Sequence, residues 1–157
     1  MRRALDLLRA ICISVELVIS LALLATYILK PTIFVQIGHQ FKNNSEVWKF
    51  LPTLPLLFAG VAIKTSAALR SPADAKRNKI LYEWPDYSRI IDRVYIGISM
   101  SVASAAGAVG IWIFAVEMPE ILLGAIFLAS VSISGAIALS FTVSSHKIKE
   151  LLEKHAE

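Results

Sequence analysis

The sequence predicts an all-α polytopic membrane protein: a four-transmembrane-helix bundle, both termini cytoplasmic, with a short helical elbow between spans two and three. Three observations predict it. The chain is 56% hydrophobic with a mean hydropathy of +0.64, above the roughly 45–50% apolar content of soluble domains. That excess is gathered into four blocks, at about residues 10–29, 50–69, 94–116 and 121–143. Each is close to the twenty residues needed to cross a hydrocarbon core of roughly 30 Å. Finally, Lys and Arg stand at the ends of these blocks rather than along a face, a pattern that reads as membrane topology.

The 157 residues make one domain, residues 1–157. Span one follows Arg2 and Arg3 and is longer than the roughly 7–15 apolar residues of a signal peptide. It has no small-residue cleavage site after it and is expected to be retained as an anchor. It ends at Lys30-Pro31. The loop to span two carries Ile33, Phe34, Val35, Ile37 and Phe41, and is expected to lie on the outer surface or cover the bundle mouth. Span two has Pro52 near its start, where the lost amide has no intrahelical partner anyway. Pro55, further in, is expected to bend it.

Residues 70–93 form the elbow. Ser71-Pro72-Ala73-Asp74 reads as a helix start, followed by a short helix to about Tyr82, a break at Trp84-Pro85, and a cap at Asp86 leading into span three. Asp86, Arg89, Asp92 and Arg93 are spaced to pair along one helical face. With Trp84, they make the expected docking surface for a cytoplasmic partner. Glu117-Met118-Pro119-Glu120 is short enough to force spans three and four into an antiparallel hairpin. The tail, residues 144–157, continues helically with Ile148, Leu151 and Leu152 on one stripe, and is expected to self-associate or to pack on the elbow.

Counting flanking cations orients the chain. Arg2, Arg3, Arg9, Arg70, Lys76, Arg77, Lys79, Arg89, Arg93, Lys147, Lys149 and Lys154 fall on one side, against Lys30, Lys42 and Lys49 on the other. The richer side is cytoplasmic, and a bacterial inner membrane is the expected location.

Two ionisable residues lie inside the blocks, where they mark functional positions by default. Glu16 is about 10 Å beyond Arg9, and Lys64 about 9 Å before Arg70, at 1.5 Å per residue. If consecutive spans are neighbours, the two are at matching depth, and a Glu16–Lys64 pair is the expected arrangement. Lys64 also has the reach to snorkel to the headgroups. Small residues recur at intervals of four in spans three and four. Gly97, Ser101, Ala105 and Gly107, with Ser130 and Ser134, form the expected helix-packing and homo-oligomer face.

Other function classes are disfavoured. Cys12 is the single cysteine, so neither a disulfide nor a zinc motif is available. His39, His146 and His155 form no paired metal motif, and phosphate-loop and nucleophile-elbow patterns are missing. No cofactor, enzymatic activity or nucleic-acid binding is expected. The partners expected are the lipid bilayer, further copies of the chain and a cytoplasmic protein. The predicted role is a membrane sensor, scaffold or pore-type effector; the alternative is a small proton- or ion-coupled transporter that uses Glu16. In its span count and Glu16 alone, the chain resembles the small multidrug-resistance transporters, where a first-span glutamate exchanges protons for cationic drugs. The long elbow, the strong charge bias and Lys64 depart from that pattern, and no family is assigned.

Overall fold

The computed structural model describes residues 14–71 and 75–154. Within them the chain is all-helical: α1 Val15–Leu29, α2 Pro31–Asn43, α3 Ser45–Phe50, α4 Thr53–Arg70, α5 Ala75–Tyr82, α6 Tyr87–Phe114 and α7 Glu120–Lys154. Arg2, Arg3, Arg9, Cys12, the first residues of span one, the Pro72-Ala73-Asp74 helix start and His155 lie outside the described residues. Three helical stretches are long and apolar enough to cross a membrane: Trp48–Arg70, Tyr87–Phe114 and Glu120–Lys154. A fourth exists if α1 and α2, bent by 94° at their junction, are taken together. Large apolar side chains also cover much of the outside, including Val18, Leu21 and Ile28 on α1 and Leu54, Leu57 and Ile63 on α4. Water penalises such a surface and lipid does not.

The α1–α2 corner follows from local chemistry. Ser14 caps α1, its hydroxyl accepting from the Leu17 amide at 3.1 Å. At the other end Lys30 precedes Pro31, and a residue before proline is pushed out of the helical region. Lys30 accordingly sits at φ −140°, ψ 63°, and Pro31 starts α2 as its first residue, where a missing amide costs nothing. The segment expected to be a loop is thus an amphipathic helix. Phe34, Gly38 and Phe41 are buried, while Gln36, His39, Gln40 and Asn43 face outward.

α2 crosses the start of α7 at very close range. A Cβ on Gly38 would stand 1.9 Å from the Glu120 carbonyl oxygen, and one on Gly124 would stand 2.1 Å from that of Phe34. Only glycine permits this backbone approach. Phe41 then stacks edge-on against Phe127, ring centroids 4.6 Å apart, within a core that also holds Leu51, Ile111, Ala115 and Leu123. His39 reinforces the crossing from outside, 3.2 Å from the Glu120 carboxylate.

α4 begins at Thr53, so Pro55 falls in its first turn. Its missing amide would have been unpaired there, and proline needs no bend to fit. The predicted short helix of the elbow is α5, and α6 continues unbroken from the elbow into span three. Span four and the tail are one 35-residue helix, α7, roughly 50 Å long. Of the tail's expected stripe, Ile148 and Leu152 are buried with Leu69 and Leu81, so this face packs on the elbow; Leu151 is exposed.

α7 is the hub. It packs against α1, α2, α4 and α6, and α4 also packs on α6, whereas α1 and α4 barely touch. Between them α2 carries the chain across the start of α7.

Candidate functional site

The most heavily charged buried feature is at the end of the bundle where α1 and α6 begin and α4 and α7 finish. Capping by Ser14 places Glu16 in the first turn of α1. Its side chain is only 1% exposed and its Oε2 accepts from Nη2 of Arg93, which is 26% exposed. Two buried atoms of the pair, Glu16 Oε1 and Arg93 Nη1, have no hydrogen-bond partner among the described residues. A buried pair of this kind is geometrically demanding, since each charge has lost water and is compensated mainly by the other.

The structure therefore brings Glu16 together with Arg93 and not with Lys64. Lys64 is exposed on α4 and makes no ion pair among the described residues. The expected pair rested on spans one and two being neighbours, and α1 and α4 are not among the helix pairs that pack together. Glu16 instead reaches Arg93, near the start of α6. The signal that could have found Arg93 is its position at the very start of span three, where a long side chain can reach inward to a carboxylate.

The elbow residues separate accordingly. Asp86 and Arg89 pair at 2.8 Å, both highly exposed, and the Asp86 side chain does not cap α6. Trp84 packs against the core cluster. Asp92 makes no ion pair among the described residues, and Arg93 turns away from the solvated face toward Glu16.

The small-residue rows face inward. Ser101, Ala105, Ser130 and Ser134 are buried within the single chain, as is Gly97, where an added Cβ would stand 2.5 Å from the Phe141 ring. Ser134 donates to the Ser130 carbonyl, and Gly107 faces Ser130 across the hairpin. These residues pack helices within the monomer, so a contact between copies cannot use them without opening the bundle. A different row is outside: Ala103 and Ala106 are exposed, and nothing stands within 4 Å of a Cβ built on Gly110.

α1 is the most weakly held of the apolar helices. An apolar crevice of about 300 Å³ opens between part of it and α7, lined by Leu23, Leu24, Tyr27, Ala125, Ala129 and Ile133 among others. At one end α1 is tied by the Glu16–Arg93 pair, at the other by the corner into α2.

Set beside known proteins, the chain matches no family model, no curated protein and no solved structure.

Proposed function

We propose that the protein is a non-enzymatic, four-span subunit of a cell membrane that works as a sensor or scaffold, with α1 as its moving part. The observation carrying this reading is the way α1 is held: a crevice beside Ser20–Tyr27 and one buried ion pair, Glu16–Arg93, in its first turn. A helix beside such a crevice, tied to α6 by one buried charge pair, is suited to two arrangements, and a switch needs two. The bent α1–α2 element then completes the fourth span.

The distribution of cations supports a cytoplasmic location for the Glu16 end, both termini and the elbow, and an inner-membrane setting in a bacterium. The exposed Asp86, with Lys79 and Tyr82 of α5, is then available to a soluble partner. The outward row of Ala103, Ala106 and Gly110 supports homo-oligomerisation through α6, since small residues let two helix backbones approach.

Hydrogen exchange on the detergent-solubilised protein tests the latch. Glu16→Gln is expected to speed exchange in α1 selectively, leaving α4, α6 and α7 protected; uniform loss of protection would make the pair merely structural. For the oligomer, mass measurement in mild detergent is expected to show a multimer that Ala106→Leu with Gly110→Leu reduces to monomer. A monomeric unaltered protein would overturn that part.

One observation favours the alternative of an ion-coupled carrier, the unpartnered Oε1 of buried Glu16. On that reading Glu16→Gln abolishes uptake or efflux while α1 keeps its protection.

A further inference from the structure

Beside the latch, α6 and α7 form an open groove of about 400 Å³ that none of the interactions above fills. Its wall carries three cations, Arg89, Arg93 and Lys147, against one carboxylate, Asp86. Ser140 and Ser144 add hydroxyls. Its floor is apolar, made by Leu69, Val94, Phe141 and Ile148. The groove thus has a cationic side and a greasy one.

We infer that this groove binds an anionic phospholipid, its phosphate held by Arg89, Arg93 and Lys147 and its acyl chain lying on the apolar floor. Charge complementarity selects the occupant. Lys147 has no ion-pair partner among the described residues, and Arg89 has only an exposed contact with Asp86, which is worth little and leaves the guanidinium available. Arg93 spends Nη2 on Glu16, but its side chain is still 26% exposed and lines the groove, where a guanidinium suits a phosphate oxygen. Basic pockets between spans on the cytoplasmic side suit such headgroups. The chain's own N-terminal residues are a poorer fit, because Arg2, Arg3 and Arg9 outnumber Asp6 there and would be repelled by the wall.

The inference requires that this end of the bundle sit at headgroup level, but not that α1 move. It would survive failure of the latch.

Native mass spectrometry of the full chain, titrated separately with phosphatidylglycerol and phosphatidylcholine of the same acyl chains, tests it. Phosphatidylglycerol is expected to bind about tenfold more tightly or better, since each cation near an anionic headgroup is worth about a factor of five. Arg89→Gln with Lys147→Gln should bring the two lipids level. Lys64→Gln, which removes an exposed cation outside the groove, should leave the preference intact. Both altered positions in the double variant lie at the surface, and an unchanged melting curve establishes that it is folded. Equal retention of the two lipids by the unaltered chain overturns the inference, as does a preference that survives the double variant or falls with Lys64. Complete displacement by millimolar inorganic phosphate would show that the floor contributes nothing, and it too would overturn the lipid assignment.

Discussion

The two ends of the bundle are held by different physics. Where α2 crosses α7, Gly38 and Gly124 let backbones meet with almost nothing between them, a contact of shape. At the other end, α1 is tied to α6 by the buried charges of Glu16 and Arg93. Close packing in a membrane depends on van der Waals fit and responds weakly to ionic conditions. A buried ion pair depends on both partners being charged and present. One end is held by backbone shape and the other by charge.

Breaking the charged end is expected to have the largest effect. Arg93→Ala strands a carboxylate that is 1% exposed, and loss of one partner from a buried pair costs about 3–5 kcal/mol. Denaturant unfolding in detergent should show this loss, and a smaller one for Glu16→Ala, because Arg93 keeps some access to solvent. Glu16→Ala with Arg93→Ala should recover part of the cost, whereas Glu16→Ala with Lys64→Ala should be additive, since coupling requires contact. Coupling to Lys64 instead would refute the pairing described above.

Next come the glycines of the α2–α7 crossing. Gly38→Ala and Gly124→Ala each drive a methyl into a backbone carbonyl that cannot rotate away, and about 1–3 kcal/mol should be lost on the same unfolding curves. Gly97→Ala should cost less, because the atoms it meets belong to the Phe141 ring, which can shift by a change of rotamer. At the bottom of the scale, Gly107→Ala meets nothing closer than the Ser130 hydroxyl at 3.6 Å. It should be neutral or gain up to about 1 kcal/mol from helix propensity. A large loss there would mean that the α6–α7 hairpin is packed more tightly than the α2 crossing, reversing the comparison.

Much of the fold was legible because its signals are local. Apolar length located the spans in α4, α6 and α7, and the run through Trp84-Pro85 located the elbow. The four-residue turn from Glu117 to Glu120 made α6 and α7 a hairpin. α2 was missed as a helix because its apolar positions were read as a surface loop, although Phe34, Gly38 and Phe41 recur at helical spacing. The glycine pair was illegible: Gly38 and Gly124 are 86 positions apart, and nothing local distinguishes them from Gly107 or Gly110.

The candidate site divides the same way. Sequence alone determined that Glu16 lies in an apolar block, where an ionisable group is costly and marks a position of interest. It also determined the small-residue character of the last two apolar blocks. Only the tertiary structure decided that the partner is Arg93, that Lys64 faces outward, and that Gly97, Ser101, Ala105, Ser130 and Ser134 pack inside the chain. The physical reason is that depth and helical face are periodic properties of one segment, whereas neighbourhood is set by how α2 hands the chain across α7.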